Sequence, residues 1–205
     1  MLPDPQDLVR QIVALHCETV AQWHTFVPDN SHDGFLGTVC QQHQFNFLLW
    51  HEEDIARSPE VPDKQIATVK RNIDRYNQQR NDAIEQIDEA LAMQLIAADV
   101  LPCEGARLNT ETPGSAIDRL SIMALRIYHF EEQLDRRDAD QIHRAKVQQR
   151  LDRCHLQHTD LSQSLAELLE DIFAGHKMLK VYRQMKMYND PTLNPYLYRQ
   201  RRLVG

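Results

Sequence analysis

Oxygen-bearing side chains recur along one stripe of a helix that we predict over about residues 63–98. With about 100° between successive residues, one stripe collects Lys70, Asp74, Asn77, Asn81, Glu85 and Asp88. The stripe lies at the edge of the apolar face, where side chains reach into a cleft between helices. Asparagine is a poor helix former, so two of them in mid-helix indicate a specific role. Either they form hydrogen bonds between helices, or Asp74, Asn77 and Asn81 are ligands of a divalent metal ion such as magnesium.

A second polar stripe follows the helix predicted over about residues 35–57. An arc of about 100° contains His43, Asn46, Trp50, Glu53, Asp54 and Arg57. A carboxylate such as Glu53 can bind a metal ion there. Asn46, Trp50 and Arg57 can orient a phosphate group of a ligand. The alternative is a solvated helix face, on which Arg57 forms local ion pairs with Glu53 or Asp54.

The helix predicted over about residues 115–136 is apolar nearly all round, which indicates that it is buried. Asp118 and His129 share an arc with Leu125, so both are expected to be desolvated. A buried carboxylate needs a partner. That partner is either the first turn of the helix itself or a site in the central cleft. In such a site Asp118 would bind a metal ion, and His129 or His43 would act as acid or base.

A turn-forming segment, Asn109–Ser115, leads directly into this apolar helix. Ser115 and Asp118 have the spacing of a capping box, with Ser115 as the N-cap and Asp in place of the usual Glu or Gln. The turn can do more than cap the helix, because a helix N-terminus also binds phosphate. The candidate ligand-binding residues at this turn are Asn109, Glu111, Ser115 and Arg119.

Basic residues concentrate at the C-terminal end of the sequence. Residues 176–205 carry seven lysines and arginines and one acid, although the whole chain has a net charge of −7. This segment either receives phosphate through Arg183 and Lys186 or docks on an acidic face of its own body or of a second subunit.

The composition narrows the class of protein. Hydrophobic residues make up 42% of the 205 residues, and only six glycines occur, which favours helices over many short strands. We find no secretory signal and no apolar run of about 20 residues, so we expect a cytoplasmic protein without a membrane span. The four cysteines form no Cys-x-x-Cys pair and are expected to be reduced. The sequence holds no glycine-rich nucleotide motif and no strong nucleic-acid signal.

These features predict a single all-α domain over residues 1–205. Five main helices are expected over about residues 5–26, 35–57, 63–98, 115–136 and 138–189, and Gly175 permits a break in the last one. They would form an antiparallel bundle with a long C-terminal helix, followed by an extended basic tail over residues 190–205. An unbroken last helix would be too long for a compact domain, so we expect a homo-oligomer, most simply a homodimer.

Four blocks of sequence, taken in order, carry a resemblance. They are Asn46-x3-Trp50-x2-Glu53-Asp54-x-Ala56-Arg57, Ile73-Asp74-x2-Asn77-x2-Arg80-Asn81-Asp82-x-Ile84-Glu85-x-Ile87-Asp88, Asn109-Thr110-Glu111-Thr112-Pro113-Gly114-Ser115-x2-Asp118-Arg119-Leu120-Ser121 and Lys180-Val181-Tyr182-Arg183-Gln184-x-Lys186-Met187-Tyr188-Asn189-Asp190-Pro191-x2-Asn194-Pro195. Together they resemble a bacterial family known only as a domain of unknown function. The resemblance implies an all-helical cytoplasmic protein with gene neighbours in cell-envelope polysaccharide synthesis, and it assigns no catalytic residue.

Two functional hypotheses fit these features. The first is metal-assisted binding or hydrolysis of a small phosphorylated compound, such as a nucleotide or nucleotide sugar, by analogy with helical enzymes that hold magnesium on carboxylates. The second is a non-catalytic helical adaptor or scaffold in cell-envelope polysaccharide synthesis. Under the first, the polar stripes of the second, third and fourth helices converge on one pocket. Under the second, they are dispersed or satisfied by mutual hydrogen bonds.

Overall fold

The computed structural model describes residues 2–185, 187 and 190–197. Its five main helices are α1 (Pro5–Trp23), α2 (Gly34–Arg57), α3 (Asp63–Ala97), α4 (Pro113–Asp135) and α5 (Gln141–Phe173). Two short strands, β1 (Arg107–Leu108) and β2 (Lys177–Met178), pair in parallel. The prediction of an all-α fold is confirmed. Within the described residues, every helix is too short or too polar to cross a membrane.

Capping residues set where the helices begin. The Asp4-Pro5 start of α1 is as predicted, whereas α4 begins two residues earlier than expected. Thr112, not Ser115, is its N-cap, and the Thr112 hydroxyl accepts a hydrogen bond from the Ser115 N–H at 3.2 Å. Pro113 takes the first helical position and moves the cap upstream. Asp118 therefore closes no capping box.

The last helix ends at Phe173, so of the two alternatives for residues 138–189 the break at Gly175 occurs and the unbroken helix does not. Gly175 has a φ of +75°, a left-handed conformation that ends helices and that glycine adopts without strain. A β-carbon on Gly175 would lie 2.6 Å from the carbonyl oxygen of Leu101. The turn after α5 is thus packed on the loop before β1, where the Cys103 N–H donates to the Gly175 carbonyl at 2.8 Å.

The segment after β2 docks on α3 of the same chain. Arg183 forms an ion pair with Glu89 at 2.6 Å, and the Gln184 N–H donates to the Glu85 carboxylate at 2.7 Å. The basic segment was expected either to receive phosphate or to dock on an acidic face. Arg183 docks on an acidic face of its own chain.

Residues 191–193 form a turn and residues 195–197 are helical, so this part of the tail is not extended as predicted. The Asp190 carbonyl accepts hydrogen bonds from the N–H groups three and four residues further on, which folds the chain back on itself. Lys186 and residues 198–205, to which part of the tail prediction applies, lie outside the described residues.

Consecutive helices from α2 to α5 are antiparallel, as predicted, so α2 and α4 run in the same direction. Along this pair, Gln42 lies beside Asp118 and, further on, Trp50 lies beside His129. The C-terminal ends of α2 and α4 therefore lie at the same end of the bundle.

The α1–α2 pair departs from the antiparallel prediction, because α1 also runs in the direction of α2. Successive ring contacts join His16 to His43 at 4.6 Å and His24 to His51 at 5.2 Å. The loop between the helices folds back along α2, where the Asn30 amide donates to the Gly37 carbonyl at 2.8 Å. The C-terminal halves of α1, α2 and α4 are thereby brought together.

α4 occupies the centre of the bundle and contacts each of the other four helices. Its fully buried side chains include Ile117, Leu120 and Leu125. At its start, a β-carbon on Gly114 would lie 2.6 Å from the Ile84 carbonyl oxygen, so glycine permits the close approach of α4 to α3. Asp88 of α3 accepts a hydrogen bond from the Gly114 N–H at 2.7 Å. The prediction of a buried helix is correct for the first half of α4, where the buried residues run from Pro113 to Leu125. The second half is half-buried or exposed.

Candidate metal centre

Three histidines from three helices meet at one end of the bundle. His24 is the C-terminal capping residue of α1, His51 lies on α2 and His129 lies on α4. One ring nitrogen from each lies within 4.8 Å of the other two. Within the described part of the chain, these three side chains form the group of His, Cys, Asp or Glu residues whose geometry suits a metal ion. We call His24, His51 and His129 the histidine triad.

Hydrogen bonds fix the orientation of two of these rings. Nδ1 of His24 lies 2.7 Å from the Val20 carbonyl oxygen, which can only accept, so Nδ1 carries the proton. Nδ1 of His129 lies 2.6 Å from a carboxylate oxygen of Glu132. In both rings Nε2 is buried and has no protein partner among the described residues. Each ring keeps an Nε2 lone pair for a metal ion, as metal-binding histidines do.

Aromatic rings enclose the histidine triad. The Trp50 indole stacks on the His129 ring at a centroid distance of 4.9 Å, and the Tyr128 ring stacks on His24 at 4.1 Å. The pKa of His51 is lowered, first by burial and then by the positive charge that His24 and His129 carry when protonated. His51 is therefore neutral near pH 7 and can serve as a ligand.

A second polar cluster lies buried between α2, α3 and α4, and we call it the Asp118 network. Its members are Gln42, His43, Asn46, Arg80, Asp118 and Ser121. Asp118 accepts hydrogen bonds from the amides of Gln42 at 2.6 Å and Asn46 at 2.9 Å, and Nε of Arg80 lies 3.8 Å from the same oxygen. Burial raises the pKa of Asp118, and the Arg80 charge and the Asn46 hydrogen bond oppose the shift.

His43 belongs to the Asp118 network and not to the histidine triad. Its Nδ1 lies 2.7 Å from the Ser121 hydroxyl, which also accepts from the Asn46 amide at 2.8 Å. Both His43 and Ser121 are 0% exposed. Burial lowers the pKa of His43 to about 3, so the ring is neutral near pH 7. Of the two histidines predicted as acid–base residues, His129 alone lies at the candidate metal centre.

The predicted oxygen ligands are not assembled into one metal site. They were Glu53, Asp74, Asn77, Asn81 and Asp118. Glu53 pairs with Arg57 at 2.9 Å, and Asp74 pairs with Lys70, because each carboxylate has a cation four residues away on its own helix. Asp118 is held by its network, and the two asparagines are half-buried and buried on α3. Among the described residues, these carboxylates are not part of any group of three that suits a metal ion.

Residues predicted to bind a ligand near the start of α4 line a groove of about 840 Å³ between α4 and α5. Asn109, Glu111 and Arg119 border this α4–α5 groove, and Arg119 pairs with Glu111 at 2.8 Å. Arg126 and Lys177 add two further cations to its lining. The other predicted ligand residues lie elsewhere: Asn46 in the Asp118 network, Trp50 at the histidine triad, Arg57 on Glu53, Ser115 in the α4 cap and Arg183 on Glu89.

His24 and His51 are the candidate ligands that sequence reasoning missed. They belong to no short motif, and His51 lies about 100° from Trp50, outside the polar arc of α2. The available signal was a histidine near the C-terminal end of each of three predicted helices. That signal gains meaning only when the helices are known to be parallel.

One known protein family matches most of the helical bundle. The family described as "Protein of unknown function (DUF4254)" matches residues 36–181, more than half of the chain. This range includes His51 and His129, whereas His24 precedes it. No curated protein and no solved structure matches the chain. The match over α2 to α5 agrees with the resemblance seen in the sequence blocks, and the chain belongs to the DUF4254 family of proteins of unknown function.

Proposed function

We propose that this chain binds a divalent transition-metal ion on the histidine triad and uses it to hydrolyse a small-molecule substrate. The supporting observation is that ring nitrogens of His24, His51 and His129 lie within 4.8 Å of one another. Imidazole nitrogens favour zinc and related metals, whereas magnesium favours oxygen ligands. The proposal therefore keeps the metal-assisted chemistry expected from the sequence and changes both the ligands and the class of metal.

The dimensions of the triad suit three ligands of one ion. Zinc–imidazole bonds of about 2.0 to 2.1 Å place two ligand nitrogens about 3.4 Å apart. The nitrogens of the triad lie within 4.8 Å of one another, so binding of one ion requires them to approach by up to about 1.4 Å. Three protein ligands leave a fourth position for water, which distinguishes catalytic zinc sites from structural ones.

The residues around the triad support hydrolysis. A metal ion held by the three histidines would supply a bound water that ionises near neutral pH, as at catalytic zinc sites. Glu132 holds the His129 ring through Nδ1. The stacked rings of Trp50 and Tyr128 restrict the rotation of two ligands and exclude bulk water from one side. His129 would then act as a ligand rather than as the acid or base expected from the sequence.

Metal titration of the chelator-treated chain tests this function. We expect one zinc or cobalt ion per chain, with the visible absorption of tetrahedral cobalt. Alanine at His24, His51 or His129 should each weaken binding at least about 100-fold, because a ligand is lost. His155→Ala, at an exposed position of α5, is the matched control and should bind normally. A chain that binds no zinc, or a His51→Ala variant that binds as well as the unmodified protein, would exclude the proposal.

Glu132→Gln should weaken zinc binding about 10- to 100-fold. The substitution keeps the shape of the side chain and removes the carboxylate that accepts the Nδ1 proton of His129 at 2.6 Å. Glu131→Gln removes the same charge from the neighbouring exposed position and should change the dissociation constant less than about threefold. Equal effects of the two substitutions would show that charge alone, and not orientation of His129, matters.

A second candidate function, the binding of a small phosphorylated compound, is supported by the α4–α5 groove. Its volume of about 840 Å³ lies in the range of small-molecule sites. Of the three cations on its lining, Arg119 pairs with Glu111 and Lys177 pairs with Asp171. The guanidinium of Arg126 suits phosphate. AMP should raise the melting temperature of the protein. Arg126→Gln should abolish the shift and Arg150→Gln, on an exposed part of α5, should preserve it. No shift with AMP in the unmodified protein would count against this candidate.

The adaptor hypothesis stays a prediction, as does the homodimer. The described part of the basic segment is already engaged with its own chain, since Arg183 and Gln184 contact Glu89 and Glu85 of α3. These contacts leave the adaptor hypothesis with less support than the metal-dependent function.

A further inference from the structure

We infer that the histidine triad serves neutral or positively charged substrates and disfavours phosphate esters and other anions. This substrate preference depends on the proposed metal-dependent function and adds a substrate class to it. It follows from the carboxylates and aromatic rings that α2 and α4 place around the triad.

Carboxylates face the triad from two helices. Beyond burial and the neighbouring imidazoles, Asp54 of α2 and Glu132 of α4 act electrostatically on His51. Glu131 and Glu132 act in the same way on Tyr128. Glu132 also lies 2.6 Å from Nδ1 of His129, so a carboxylate contacts the triad directly on the side that α4 supplies.

The arginines closest along α2 and α4 are engaged elsewhere. Arg57 pairs with the Glu53 carboxylate at 2.9 Å and donates to the Glu53 carbonyl at 2.8 Å. Arg126, one turn before His129, contacts the Met123 sulfur at 3.9 Å and lines the α4–α5 groove. A phosphate dianion at the triad would thus meet carboxylates without a compensating cation from these two side chains.

Ring faces favour the same substrates. Trp50 stacks on His129 at 4.9 Å, Tyr128 stacks on His24 at 4.1 Å, and the Phe47 ring lies 4.5 Å from that of His51. One face of Trp50 and one of Tyr128 is covered by a histidine ring, so the rings contribute apolar surroundings, which disfavour an anion more than a neutral group. At low ionic strength, each carboxylate within about 8 Å of an anion weakens its binding about two- to threefold.

Ligand exchange on the cobalt-loaded protein tests the substrate class. The visible spectrum of cobalt reports binding of imidazole, which is neutral, and of inorganic phosphate, which is an anion. The double variant Asp54→Asn/Glu131→Gln should bind phosphate about fivefold more tightly at low salt and imidazole as before. Asp152→Asn, at an exposed position of α5, is the control and should change neither affinity. In the same way, the metal-loaded protein should hydrolyse p-nitrophenyl acetate faster than p-nitrophenyl phosphate.

The outcomes separate the substrate class from the proposed function. Unchanged phosphate affinity in the double variant, or faster hydrolysis of the phosphate ester, overturns the substrate class and leaves metal binding intact. A chain that takes up no cobalt overturns both.

Discussion

Asp118→Ala is expected to lower the free energy of unfolding by about 3 to 4 kcal/mol. The substitution removes the oxygen that accepts from Gln42 at 2.6 Å and from Asn46 at 2.9 Å, which leaves both buried amides without that acceptor. It also removes the carboxylate beside Arg80. Each buried polar group left unpaired costs about 1 to 3 kcal/mol. Urea unfolding followed by circular dichroism measures the loss.

Asparagine at the same position separates hydrogen bonding from charge. Asp118→Asn keeps a carbonyl oxygen for the two amides and removes a charge that burial disfavours, as its raised pKa indicates. We expect this variant to lose about 1 kcal/mol or less. Glu131→Ala, at an exposed position of α4, should stay within about 0.5 kcal/mol of the unmodified protein. Equal stability of Asp118→Ala and the unmodified protein would contradict the prediction.

The bundle should lose stability as the pH falls from about 6.5 towards 4. Burial holds the pKa of His43 at about 3 in the folded chain, against 6.5 for an exposed histidine. Between these values the unfolded chain binds a proton that the folded chain does not. The free energy of unfolding therefore falls by up to about 1.4 kcal/mol per pH unit. The pKa of His16 is also lowered, first by burial and then by His43 and His158, and adds to the trend.

His43→Gln isolates this contribution, because glutamine does not titrate and can still bond to Ser121. Between pH 7 and 5 the unmodified protein should lose about 2 kcal/mol more stability than the variant. Burial raises the pKa of Asp88 and of Asp118, which acts in the opposite direction, but both acids are present in the two proteins and cancel. The exposed control His155→Gln should follow the unmodified protein. Identical pH dependence of His43→Gln and the unmodified protein would refute the assignment to His43.

Local signals account for most helix boundaries. Asp4-Pro5 at the start of α1 and the prolines after α2 act within a few residues of where they stand, so they can be read from the sequence. The end of α5 could not be read in this way. Gly175 permits a break, but the contact that uses it is with Leu101, far away in the sequence. Whether a permitted break occurs is decided by tertiary packing.

At the candidate site, too, local sequence patterns identified some residues, and helix packing determined the others. Burial of α4 could be predicted from its pattern, and His129 was therefore a candidate. His24 could not be placed, because the expected antiparallel pairing of α1 and α2 would put it near the start of α2 and far from His51. The polar face of α2 does meet α4, but it divides between two clusters, with Asn46 in the Asp118 network and Trp50 beside the triad.

The common direction of α1, α2 and α4 gives the backbone itself a part in the chemistry. His24 caps the C-terminal end of α1, and the C-terminal ends of α2 and α4 lie on the same side of the bundle, beyond His51 and His129. Unpaired carbonyl groups at a helix C-terminus carry about half a negative charge, with an effect that is strongest within the last turn. The carbonyl dipoles at the C-terminal end of α1 thus favour a cation at the histidine triad independently of any side-chain charge.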